Sequence, residues 1–228
     1  MKQLVSLLAG GLVAVSVSAQ ATDITGAGAS FPAPVYAKWA EAYKAETGVA
    51  MNYQAIGSGG GVKQINTKTV DFGASDDPVS GEQLEKDGLV QFPAVIGGIV
   101  PVLNVAGVQP GQLKLDGKLL ADIFRGEVKT WNDPAIAAKN PDLELPSTAI
   151  TIVYRSDSSG TTAAFTSYLA EVSPEFKATV RSGKTVNWPT GLGGRGNAGV
   201  AANVAKLKGS LGAIGATRSA RCCAGPCD

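Results

Sequence analysis

Residues 150–172 read ITIVYRSDSSGTTAAFTSYLAEV. The first five are β-branched, apolar or aromatic, the pattern of a short buried strand. Residues 155–158 break the run with Ser and Asp, which favour turns. From Ser159 onward the pattern is helical, with serine at the capping position. Strand, tight turn and helix follow one another with no spare residues. That order is the unit of an α/β fold with mostly parallel sheets.

Working outward, the same unit recurs. Strand patterns lie at residues 24–26, 51–56 and 70–74, and a start of another at 212–215. Helical patterns lie at 32–46, 62–67, 80–86, 117–125, 133–139 and 200–206. Residues 58–61 read as a glycine-rich turn, and residues 188–199 as a glycine-rich loop. Residues 89–103 form a long β-rich stretch interrupted by Gly97 and Gly98, which is the expected crossing between two lobes. Asp133 followed by Pro134 is a cap with proline at the first helical position.

Composition narrows the class. The chain has 228 residues, 44% hydrophobic and 17% charged, with a net charge of +1. That balance fits a globular protein and offers no basic face for nucleic acid. Residues 1–21 carry Lys2, an apolar run at 4–17 and the small-x-small triplet Ala19-Gln20-Ala21, the pattern of a cleaved secretory leader. The run is shorter than the roughly 20 residues that span a bilayer. The expected location is therefore periplasmic. All three cysteines, Cys222, Cys223 and Cys227, fall at the very end, and the chain has no histidine. No metal site and no cofactor are expected from this inventory.

Three segments share one design. They are residues 25–32 (TGAGASFP), 57–61 (GSGGG) and 155–162 (RSDSSGTT). Each follows a strand and opens a helix, with glycine and hydroxyl residues at the opening. A helix start carries unpaired N–H groups and partial positive charge, and glycine lets a ligand approach the backbone. Any one such turn also reads as an ordinary cap. Three together point to a bound oxyanion. Arg155 is the natural counter-charge, since its planar fork matches two oxygens of a phosphate or sulfate; a solvated turn arginine is the other reading. Asp157 is placed to orient Arg155, or simply to cap the helix.

Asp76 separates the possible anions. A carboxylate repels a fully ionised ligand but accepts a proton from hydrogen phosphate, which sulfate lacks. Asp76 thus reads as a selectivity device, or as a turn residue ahead of Pro78. Its neighbour Asp77 falls on the opposite face if the strand continues through it. Residues 183–185 (GKT) end like a phosphate-binding loop, but Ala178 stands where that motif needs glycine.

At these residues the sequence resembles the PstS family, the substrate-binding proteins of the high-affinity phosphate ABC transporter. The matching blocks include TGAGASFPAPVYAKW (25–39), YQAIGSGGGVKQI (53–65), DFGASD (71–76), FPAVIGG (92–98) and LADIFRGEVKTWND (120–133). Others lie at 155–169 and 187–199. The resemblance implies a two-lobed α/β periplasmic binding protein fold with a ligand cleft, the second lobe and return segments incomplete. It implies residues 22–96 as a first lobe, 97–215 as a second and 216–228 as an unrelated tail. It places phosphate ligands at Ser30, the Phe31 backbone N–H, Ser58, Asp76, Arg155, Ser159, the Gly160 backbone N–H and Thr161, with Asp157 behind Arg155. The family often has threonine at position 30, and serine keeps the hydroxyl.

The implied role is capture of inorganic phosphate by a monomer and delivery to the transporter's membrane permease, with no chemistry on the ligand. From about residue 215 the family pattern stops. The tail from Ala216 to Asp228 is expected to arise from a frameshift or premature end, leaving apolar surface exposed. The competing functions are a secreted phosphatase-like enzyme on the same scaffold, a receptor for another oxyanion and a non-functional fragment. The absent histidine weighs against the enzyme, and Asp76 against sulfate.

Overall fold

The computed structural model describes residues 22–216. The elements run β1 (Ile24–Gly28), α1 (Ala33–Thr47), β2 (Met51–Ala55), α2 (Ser58–Asn66), β3 (Phe72–Ala74), α3 (Gly81–Asp87) and β4 (Gly98–Asn104). They continue α4 (Gly117–Phe124), α5 (Pro134–Ala137), β5 (Thr151–Arg155), α6 (Gly160–Val172), α7 (Pro174–Thr179), β6 (Leu192–Gly194), α8 (Gly196–Lys206) and β7 (Ser210–Ala216). The leader assigned to residues 1–21 and most of the tail lie outside the described residues. No helix among the described residues is long and apolar enough to cross a membrane.

The strands form two sheets. One has the order β2-β1-β3 and is parallel throughout. The other has the order β4-β7-β5-β6. Its β5 pairs in parallel with β6 and β7, whereas β4 is antiparallel to β7. The fold is α/β as expected, but the second sheet is mixed.

Three local expectations change. Within 89–103 only the part from Gly98 is strand. A strand needs a hydrogen-bonded partner, and β7 supplies one from Gly98 to Asn104. Second, Ser58–Gly61 is the first turn of α2 rather than a turn before it. Its glycines serve close approach: a Cβ on Gly61 would fall 2.5 Å from the Gly28 Cα. Third, α8 begins at Gly196, inside the stretch read as loop. The helix α7 was not anticipated, although Ser173 caps it by accepting from the Phe176 N–H and Pro174 occupies its first turn.

The two sheets differ in how well they are covered. Around the second sheet, Trp131, Phe124, Phe176, Ile136, Ile152, Leu169 and Leu211 are fully buried. The apolar cluster on the first sheet is smaller: Ala29, Tyr36 and Ala74 are buried, with Met51, Tyr53, Phe72 and Val95 partly covered, and Ala27 is buried within β1. Tyr36 meets Tyr53 edge-on with ring centroids 4.9 Å apart. Beside this cluster Trp39, Tyr43, Phe92 and Ile96 stay exposed. They line an open apolar groove of about 1170 Å³ that runs up to Asp76 and Thr161.

Candidate functional site

The site lies where α2 and the end of β3 from the first sheet face α6 and α8 from the second. Ser58, at the first position of α2, is fully buried. Its Oγ accepts from the Asp76 backbone N–H at 3.2 Å and from the Gly160 N–H at 3.1 Å. Both acceptor positions of the hydroxyl are filled, so its own O–H is left to donate. One side chain thereby ties both walls of the cleft.

The opening of α6 supplies the opposite wall. Ser159 caps the helix, its Oγ accepting from the Thr162 N–H at 3.1 Å. Thr161, 2% exposed, donates from Oγ1 to Asp76 Oδ2 at 3.3 Å. The Gly160 N–H, expected to face the ligand, donates here to Ser58 Oγ. An anion must therefore share that N–H with Ser58 Oγ or replace Ser58 as its acceptor.

Arg155 ends β5 and is only 7% exposed. A guanidinium has five N–H donors. Nε donates to Asp157 Oδ1 at 2.8 Å, and Nη2 donates to Asp157 Oδ2. Nη1 donates to Asn197 Oδ1 at 2.9 Å. That uses three donors and leaves one on each terminal nitrogen, two donors for the oxygens of an anion. Burial opposes ionisation of Asp157. The hydrogen bonds from Arg155 and the Gly196 N–H, with the arginine charge, outweigh it and hold the carboxyl below its ordinary value.

Asp76 has the opposite balance. Burial raises its pKa, the Thr161 hydroxyl and the Arg155 charge pull it back, and Asp77 adds to the rise; the net shift is upward. Its Oδ1 is buried and is the one buried side-chain polar atom without a partner among the described residues. An acceptor held in this way favours a ligand that brings a proton. Asp77 turns from it to Lys184, Oδ2 to Nζ at 3.0 Å; β3 ends at Ala74, so the turn after it, not strand alternation, separates the two carboxylates.

Ser30 and Phe31 join through two residues that sequence reasoning missed. Asn197, buried at the opening of α8, donates from its backbone N–H to Ser30 Oγ at 3.3 Å, and from Nδ2 to the Gly215 carbonyl at 3.1 Å. Gly215 in β7 lies where everything meets. A Cβ there would fall 2.9 Å from Phe31 Cβ, 3.1 Å from Thr161 Oγ1 and 3.2 Å from Asn197 Nδ2. The signal for Asn197 was present: it follows Gly-x-Gly and opens a helix, the design already noted at three other places. All eight expected ligand positions and Asp157 converge on one region. Among the described residues no cluster of His, Cys, Asp and Glu is suited to a metal.

A family model described as the PBP superfamily domain matches residues 14–221. The phosphate-binding protein PstS of Haemophilus influenzae is 60% identical over 196 residues, covering 86% of this chain and 59% of that protein. The corresponding protein of Pasteurella multocida is 59% identical over 199 residues, covering 87% and 58%. The chain thus spans a little under three fifths of the length of these relatives. Among solved structures, a putative phosphate ABC transporter substrate-binding protein from Clostridium perfringens, with bound phosphate, superposes with a TM-score of 0.66 at 22% identity. That match covers 85% of this chain and 70% of the other. A periplasmic phosphate-binding protein called PfluDING gives 0.62 at 24%, covering 84% and 56%. At these identities the structures establish the fold.

Proposed function

We propose, on the premise that this chain belongs to the PBP superfamily and has PstS phosphate-binding proteins as its relatives, that it captures inorganic phosphate outside the cytoplasm and hands it to the permease of an ABC transporter. It acts as a binding protein and performs no chemistry on the ligand. The two sheets are the hearts of two lobes, residues 22–96 and 97–215, that close on the anion as a monomer. The leader at residues 1–21 directs it to the periplasm.

The ligand set is Ser30, the Phe31 N–H, Ser58, Asp76, Arg155, Ser159, the Gly160 N–H and Thr161, with Asp157 setting the arginine. The two remaining Arg155 donors take two oxygens, and the hydroxyls and helix-start amides take the others. The observation that carries the reading is the unpartnered, buried Asp76 Oδ1, which feels the Arg155 charge. Hydrogen phosphate fills both needs at once: oxygens for the donors and a proton for the carboxylate. Sulfate leaves Oδ1 without a partner, a penalty of about 1–3 kcal/mol or more for a charged acceptor.

Calorimetric titration tests this. Phosphate should give saturable heat and sulfate none at equal concentration, with Arg155→Ala losing the phosphate signal. Equal affinity for both anions would remove Asp76 from its role, and no heat with phosphate would remove the function.

A further inference from the structure

Lys184 belongs to none of the helix openings, and it touches both walls of the cleft. Its carbonyl accepts the Ser159 N–H at 2.9 Å, just where α6 begins. Its Nζ reaches across to Asp77 Oδ2 at 3.0 Å. Asp77 is in turn locked to its own turn: Ser75 Oγ donates to the Asp77 carbonyl at 2.6 Å and accepts from its N–H at 3.2 Å. A pull on Asp77 is therefore carried to Asp76, whose N–H is held by Ser58. One residue links the end of β3 in the first sheet to the start of α6 in the second, around the rim of the anion site.

We propose that Lys184 is a positioning residue for anion capture, its ion pair with Asp77 holding the Asp76 turn against the opening of α6 while phosphate is bound. This rests on the phosphate-binding reading above. The side chains are 27% and 41% exposed, Lys184 and Asp77 respectively, so the pair can open and close in water. An exposed pair of this kind changes an equilibrium by at most about five-fold. That suits a contact that slows release without trapping the ligand, since affinity differences are set mostly by dissociation.

Charge alone and pairing predict different signs. If only the local potential mattered, Asp77→Asn would strengthen anion binding and Lys184→Gln would weaken it. If the pair holds the walls together, both substitutions speed release. The test is the phosphate dissociation rate by stopped flow in the full chain, for wild type, both single variants, their combination, and the exchange Asp77→Lys with Lys184→Asp. Each single variant should release phosphate about two- to five-fold faster. The combination should be no faster than either single variant, and the exchange should return the rate to within about two-fold of wild type. In 1 M salt the differences should vanish, because screening reaches about 3 Å there. Single variants of opposite sign, unchanged rates or multiplicative effects in the combination would overturn the proposal. Absence of phosphate heat with the wild type is the separate outcome that removes the parent reading.

Discussion

Adding one methyl group at Gly160 should both loosen the protein and weaken anion binding, whereas the same change at Gly81 should do neither. The two glycines are matched. Each is the first residue of a helix behind a serine cap, Ser159 for α6 and Ser80 for α3. Replacing glycine by alanine in a helix is worth about 0.5–1 kcal/mol in favour of folding when nothing is in the way. At Gly81 nothing lies within 4 Å of the new Cβ. At Gly160 the Cβ would stand 2.6 Å from Asp76 Cβ and 2.6 Å from Ser58 Oγ. That is roughly 1 Å inside the contact distance of about 3.5–4.0 Å for carbon atoms.

Neither neighbour is the free end of a flexible chain. Ser58 is fully buried and holds both walls, so the walls themselves must part. Overpacking of this kind costs about 1–3 kcal/mol, more than the helix gain. The shift also breaks the Gly160 N–H to Ser58 contact and displaces Asp76 from Ser58 and Thr161. Loss of one charge-assisted hydrogen bond, about 1.5–3 kcal/mol, weakens binding by at least about ten-fold. Urea unfolding with a phosphate titration of each variant measures both effects. A Gly160→Ala protein as stable as Gly81→Ala, with phosphate affinity unchanged, would refute the convergence of these walls.

Three other outcomes follow from the charges. Asp76→Asn should stabilise the empty protein at neutral pH, because the folded-state pKa of Asp76 is raised and its ionised form is disfavoured by burial. Denaturation midpoints should show that advantage shrinking as the pH falls through the folded pKa of Asp76, and titration should show sulfate gaining on phosphate. Asp157 has the reverse sign, since its folded pKa is depressed. Its contribution is complete above the unfolded value of about 3.9 and is lost as the pH falls through the folded one, so the cost of Asp157→Asn should be largest near neutrality and fade in acid unfolding curves. Arg155→Lys keeps the charge but leaves Asp157 and Asn197 short of donors; thermal melts should show a loss of about 1–3 kcal/mol with weakened phosphate binding.

Much of the site was legible because caps and helix openings are local. Ser58, Ser159, Thr161 and Arg155 stand out from residues within a few positions of them, since strand, turn and helix signals need only a short window. Phe31 was legible only through the family resemblance, since alone it reads as core. Asn197 and Gly215 were missed because their importance comes from neighbours far along the chain. The Asn197 N–H meets Ser30 Oγ across 167 residues. The β-rich stretch at 89–103 was over-read for the same reason: its first part has the composition of a strand and, among the described residues, no strand to pair with, while β7 covers the rest.

By itself the sequence determined the α/β alternation and the glycine and hydroxyl character of each helix opening, and it marked Arg155 and Asp76 as candidates for an oxyanion site. Only the tertiary structure decided that Ser58 binds the Gly160 N–H 102 residues away, that β4 runs against β7, and that Arg155 has two donors left after Asp157 and Asn197 have taken three. The physical reason is that backbone propensities act over a few residues. Hydrogen-bond partners, by contrast, are chosen by whichever groups the packed layers bring within about 3 Å.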